Sequence, residues 1–223
     1  MELVLSNFDL YLSAFRLTIG LFLVSAVGSL LLGTLLAAMR VGPIAFMSKA
    51  ATVYITVVRN TPLLIIFVFV IIGLPKLGIL FRSVEELGIS SFFFRACLAL
   101  TLYTSTFVAE AIRSGINAVP LGQAEAARAI GLTFGGTMTQ VVLPQAFRAT
   151  VPPLASVFIA LLKNTSVAYA FGILEATARM KYFTNISGND LPIFLIFAAG
   201  YVVLVEIISF GANRLERRWR VAR

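Results

Sequence analysis

Two cations and one acid–base pair are the residues of this chain whose type and setting could do chemistry. Arg59, with Thr61 and Pro62 beside it, and Lys163, followed by Asn164, Thr165 and Ser166, each interrupt a run of apolar residues. A charge at depth in such a run costs on the order of a few kcal/mol unless it faces a cavity or an opposite charge. Two readings of Arg59 stand. It lines a passage for an anionic or zwitterionic solute, or it pairs with a carboxylate or snorkels to the interface. Pro62 removes one helical hydrogen bond and can open a kink beside it. At the second break, Thr165 or Ser166 could cap a new half-helix whose N-terminal amides attract a carboxylate. The plainer alternative is a polar kink held by hydrogen bonds between helices. Glu110 and Arg113, three residues apart, can pair along one helix face as a structural link.

The missing residue types narrow the chemistry further. The chain has no His and one Cys, Cys97, which removes the usual ligand sets for zinc or a redox metal and any intrachain disulfide. It has no G-x-x-x-x-G-K-[ST] motif, and its nearest glycine cluster, Gly135-Gly136-Thr137, lacks the phosphate-binding Lys. If ATP is used, another chain binds it. Without His there is no Ser/His/Asp or Cys/His set, and the carboxylates do not cluster as an acid–base pair. A self-contained enzyme is disfavoured.

The elements that must position these residues lie in lipid. Of the 223 residues, 59% are hydrophobic and 13% charged, with a mean hydropathy of +0.95, far from the balance of a soluble domain. Five apolar segments, Leu10–Met39, Phe46–Leu74, Phe92–Asn117, Val151–Ile173 and Leu191–Ala212, each reach the ~20 residues that cross a bilayer, and together they form one membrane domain. Within the first, Gly20, Ser25, Gly28, Ser29, Gly33 and Ala37 recur at spacings that let another helix approach closely. The net charge of +8 is scattered between apolar runs, without the basic, aromatic-studded face of a nucleic-acid binder. It is better explained by orientation. With the N-terminus outside, Arg40, Lys49, Arg113, Arg128, Arg148 and the tail Arg214, Arg217, Arg218, Arg220 and Arg223 fall inside. The smaller set of Arg16, Lys76, Arg82, Arg95, Arg179 and Lys181 falls outside, which favours N-out and C-in. The basic tail with Trp219 suits an anionic inner leaflet. The first apolar run follows acidic rather than basic residues, so it reads as retained rather than as a cleavable signal.

The longest polar excursion, 118–149, falls on the inner side and reads as two short helices. Gln123 to Ile130 is rich in Ala and Glu, Gly131 stops it by accepting a left-handed conformation, and Thr133 caps a second helix that ends near Pro144. A surface connector is one reading. A rigid knob for a partner's groove is the other. Glu125-Ala126-Ala127, then Gly131 four residues on, then Val141-x-Leu143-Pro144 resembles the EAA signature of ABC importer permeases, with Val141 for the usual Ile. VRNTPLLIIFVFVIIGLP (58–75), YTSTFVAEAIRSGI (103–116) and LLKNTSVA (161–168) resemble the polar amino-acid branch of that family, the histidine, glutamine, glutamate and arginine systems. Asn60 stands where relatives more often carry Gly. The stretch running from Thr104 to Arg128 looks most like the glutamate-system permeases.

The resemblance implies an all-α integral membrane protein with the type I importer permease fold, five spans and a cytoplasmic coupling helix, in a bacterial cell membrane. Glu125, Ala126, Ala127, Gly131, Leu143 and Pro144 would form the coupling segment. The implied partners are two ABC ATPase subunits that bind ATP and Mg, a second identical or related permease, an extracytoplasmic substrate-binding protein, an amino-acid substrate and membrane lipid, with no nucleic acid. Two other function classes are weighed beside this one. An ion-coupled secondary carrier calls for an acid at mid-membrane and usually an internal repeat; the acids within the spans are Glu110 and Glu206, both expected toward inner ends, and no repeat is visible. A purely structural membrane protein would not need polar breaks in two spans. The stretch from Ala178 to Asp190 is expected to be an irregular outer loop.

Overall fold

The small residues of the first apolar run decide how the chain packs. In the computed structural model, which describes residues 6–81, 85–86, 88–188 and 190–219, the main elements are helices α1 Phe8–Val41, α2 Ala45–Asn60, α3 Leu63–Val68, α4 Ser91–Asn117, α5 Leu121–Ala129, α6 Phe134–Thr137, α7 Leu143–Asn164, α8 Ala176–Ser187 and α9 Asp190–Trp219. Arg82, Arg220 and Arg223 of the charge balance, and the first five residues, lie outside the described residues. Ser25, Ser29 and Gly33 of α1 are buried against α4. A Cβ at Gly33 would stand 2.6 Å from Val108 and 2.8 Å from the Ser105 carbonyl oxygen, so only Gly permits this approach. Ser25 adds a hydrogen bond to the Cys97 carbonyl at 3.3 Å. The opposite face of α1, with Val27, Leu31 and Leu35, is exposed, as a lipid-facing stripe requires.

Among the described residues, four helical stretches are long and apolar enough to cross a membrane: α1, α4, Phe134–Phe171, and Leu191–Arg218 within α9. The segment Phe46–Leu74, read as one span, is not a single helix. It breaks after Asn60, and the pieces on either side, Ala45–Asn60 and Leu63–Lys76, meet at 106°. The cause is Pro62, which has no N–H to donate and pushes Thr61 into extended backbone at φ −90°, ψ 130°. Thr61 compensates by donating its hydroxyl to the Val57 carbonyl at 2.8 Å. After the break, α3 runs through a π turn, Phe69–Gly73, into the core, where Phe67, Val70 and Ile71 pack with Cys97, Leu100 and Leu161.

Two further expectations are corrected. The second short helix of the polar excursion does not end near Pro144. α6 passes through a π turn, Met138–Val142, straight into α7, and Pro144 lies in the first turn of α7, where a missing N–H costs little. The stretch expected to be an irregular outer loop is the 12-residue helix α8, left-handed at Gly188. It packs against α9 through Phe183, Ile193 and Phe197, which share a cluster with Phe15 of α1.

Candidate functional site

α5 carries the coupling segment at the end of the bundle where α4 finishes and α7 begins. Its Ala-rich sequence favours helix, and it closes where Gly131 takes φ +93°. There the Gly131 amide donates to the Arg128 carbonyl at 3.0 Å and the Leu132 amide to Ala127 at 3.1 Å. Thr133 caps α6, accepting from the Gly136 amide at 3.1 Å. Glu125, Ala126, Gly131, Leu143 and Pro144 are exposed, whereas Ala127 is buried against the bundle. A hydrogen bond between the side chains of Gln145 and Gln123 ties α7 to α5. The tip is unusually apolar for a surface: Leu121 is 81%, Ile130 83% and Phe134 69% exposed.

Glu110 and Arg113 pair as their spacing suggests, with Arg113 Nε 3.0 Å and Nη2 2.9 Å from Oε2. The partner that the sequence did not reveal is Arg40, at the end of α1, which takes the other carboxylate oxygen. The three side chains join α1 to α4 within the last two turns of α4, ahead of α5.

Three of the proposed pathway residues line two separate cavities. Asn164 lines one of about 340 Å³ between α4 and α7, with Tyr103, Thr104, Phe107 and Ser156. Arg59, exposed at the end of α2, stands over the Phe107 ring at 5.4 Å, so its aromatic partner belongs to that cavity. The Thr104 hydroxyl is buried there without a hydrogen-bond partner. Lys163 and Ser166 line the other, of about 520 Å³, with Thr177, Tyr201 and Glu206. Glu206, in the second half of α9, shares this lining with Lys163. Thr61 lies at the α2–α3 break and lines a third cavity, with Tyr54 and with Leu102 of α4.

Thr165 and Ser166 do not cap a half-helix. Their hydroxyls donate backwards, at 2.7 Å, to the carbonyls of Leu162 and Lys163, and the chain tightens into a 3-10 helix, Thr165–Phe171, that stops at left-handed Gly172. The helix N-terminus lies further on, at α8, and is occupied by the chain's own carboxylate. Glu175, wholly buried, accepts from the amides of Thr177 at 2.9 Å and Ala178 at 3.0 Å. Tyr201 of α9 donates its hydroxyl to the same group at 2.9 Å. Sequence reasoning missed both residues. An acid three residues after Gly172 and directly before Ala-Thr was the available cue for an N-cap.

Against this geometry, comparison with known proteins is specific. Residues 16–221 match the family described as binding-protein-dependent transport system inner membrane component. The glutamate transport system permease protein GluC of Corynebacterium glutamicum is 43% identical, over 94% of each chain. The probable glutamine ABC transporter permease protein GlnM of Bacillus subtilis is 34% identical, over 97% of this chain and 96% of its own. Among solved structures, an amino acid ABC transporter with histidines superposes with a TM-score of 0.86 at 30% identity, over 96% of each chain. The MetNI methionine ABC transporter, at 22% identity and a TM-score of 0.77, shares the fold. The chain belongs to the family of binding-protein-dependent inner-membrane transport components; it is a multi-pass permease with the type I fold, and the relatives it resembles are permease subunits of amino-acid transporters.

Proposed function

We propose that the chain carries glutamate or another polar amino acid inward across the bacterial cell membrane, in a dimer with itself or a related permease. Two ATPase subunits hold the ATP and Mg, and an extracytoplasmic binding protein delivers the substrate. The observation that carries this reading is the form of α5: fixed to the bundle by Ala127 and Gln123, bare at Glu125, Ala126 and Gly131, and flanked by the apolar side chains of Leu121, Ile130 and Phe134. Such a knob suits a partner's groove. A rigid helix pinned on its inner face passes displacement of its outer face to α4 and α7, the walls of one cavity. The names of the relatives, glutamate and glutamine permeases among them, support the substrate class.

The larger cavity fits a zwitterion. Its lining holds a cation, Lys163, and an anion, Glu206, with the hydroxyls of Ser166, Thr177 and Tyr201. A site with a few fixed polar groups in an apolar cavity is the general form of a small-molecule site. Arg59, Thr61 and Asn164 then flank the approach along α4.

Uptake of radiolabelled glutamate by vesicles holding the chain with its co-purifying subunits, competed by a panel of amino acids, tests the reading. ATP-dependent uptake displaced by one polar amino acid supports it. Uptake by the chain alone, driven by an ion gradient, overturns it in favour of a secondary carrier.

A further inference from the structure

Glu175 does more than a helix cap requires. Capping α8 takes two amide hydrogen bonds, and the carboxylate makes both, one to each oxygen, the pattern of an ionised group that only accepts. No Lys or Arg among the described residues lies within ion-pair distance of it, although it is wholly buried. A buried charge without a counter-ion persists only when donors replace its water. The third donor comes from another helix: the Tyr201 hydroxyl, at 2.9 Å.

That third bond fixes the polarity of the larger cavity. A phenol has one hydrogen, and the carboxylate takes it. In the hydroxyl pair of Thr177 and Tyr201, 3.1 Å apart, Tyr201 is then left to accept, and with Thr177 as the donor the Thr177 hydrogen is taken up as well. Both residues line the cavity. With their hydrogens spent on Tyr201 and Glu175, the oxygens of this wall offer lone pairs and no donor. Lys163, on the same cavity, offers only donors.

We propose that Glu175 is a positioning residue for substrate: by holding the Tyr201 hydrogen it makes the Thr177–Tyr201 wall an acceptor surface for the ammonium of the amino acid, while Lys163 receives the carboxylate. This rests on the reading of the larger cavity as the substrate site. Glu206 adds negative charge to the same cavity, and Glu175, out of substrate's reach, acts through Tyr201. In Glu175→Gln, the amide nitrogen can donate to Tyr201 and turn its hydrogen toward the cavity, replacing an acceptor with a donor.

The test uses the complete transporter in proteoliposomes, with uptake kinetics for Glu175→Gln, Tyr201→Phe, the double variant and Lys163→Met. Glu175→Gln is expected to raise KM about tenfold with kcat little changed, the signature of lost binding shared by ground and transition states. It should also weaken discrimination against a deaminated analogue that keeps the carboxylates. In the Tyr201→Phe background the same change should add less than about twofold, because the hydroxyl through which it acts is gone. A Glu175→Gln effect of equal size in both backgrounds reduces Glu175 to a cap and overturns the inference, leaving the cavity in place. Unchanged KM in both Tyr201→Phe and Lys163→Met removes the cavity itself as the substrate site, and the inference falls with it. Tyr201→Phe keeps the ring and its packing, so the comparison survives if Glu175→Gln assembles poorly.

Discussion

The guanidinium of Arg95 donates from Nη1 to the carbonyl of Ile71 at 3.1 Å, joining α4 to the π turn that continues α3. Its other nitrogens hold the Ser91 carbonyl at 3.0 Å and the Ser91 hydroxyl at 2.9 Å, and it stands over the Phe92 ring at 4.7 Å. Sequence reasoning counted Arg95 among outer loop charges, but it is 7% exposed within the first turns of a spanning helix. Replacing it by Met strands buried acceptors and should destabilise the purified protein by about 1–3 kcal/mol. Arg95→Lys should recover only part, because an ammonium lacks the planar fork that reaches these acceptors together. Thermal unfolding in detergent reads both.

At Gly115 the backbone of α4 comes close against α7. A Cβ there would stand 1.9 Å from Thr150 Oγ1 and 2.7 Å from the Ala146 carbonyl oxygen. Gly115→Ala should cost about 1–3 kcal/mol or more by overpacking, seen as loss of folded protein in the membrane. Thr150→Ala in the same chain should restore part of it by removing the nearer obstacle, though not the contact with backbone.

Much of this architecture was legible in sequence because lipid imposes simple rules. Apolar length marked the helices, and small-residue spacing marked a close helix approach along α1, which the fold makes with α4 at Gly28 and Gly33. Turn chemistry gave the stop at Gly131 and the cap at Thr133. What was hidden depends on tertiary contact. Pro144 looked like a helix end, yet a preceding π turn absorbs its missing donor. Thr165 and Ser166 looked like caps, yet a hydroxyl inside a continuing helix can bond backwards just as well. Glu175 falls just beyond the apolar run 151–173, where no periodicity marks it; only the fold brings Tyr201, 26 residues away, onto it. Pro62 was legible as a kink, but its 106° bend was not.

The Arg40–Glu110–Arg113 group is partly exposed, with side-chain exposures of 24%, 20% and 37%, so solvent screens it. Glu110→Gln should therefore cost only about 1 kcal/mol in stability. A double-mutant cycle of Glu110→Gln with Arg40→Met should show coupling, since both touch the same bond. Additive effects would mean that Arg40 contributes nothing through Glu110.

Arg59→Met and Lys163→Met, each in the assembled transporter, should lower uptake about tenfold or more if a charged hydrogen bond to substrate is lost. Basal ATP hydrolysis and assembly should be largely kept. Normal uptake in both would remove the pathway role and leave Arg59 as a stacked partner of Phe107.

In the proposed transport cycle, α5 passes ATP-driven motion of a partner into this bundle. Gly131 is exposed, left-handed at φ +93°, and a Cβ there would meet nothing within 4 Å, so Gly131→Arg disturbs the outer surface and local backbone rather than the core. The measurement is ATP hydrolysis by the reconstituted chain with its co-purifying ATPase, with and without the ligand-loaded binding protein, for the native protein and for Gly131→Arg. Stimulation by the loaded binding protein, lost in Gly131→Arg while the folded permease persists in the membrane, is the expected result. Equal stimulation in the two, or no ATPase bound to the native chain at all, would contradict it.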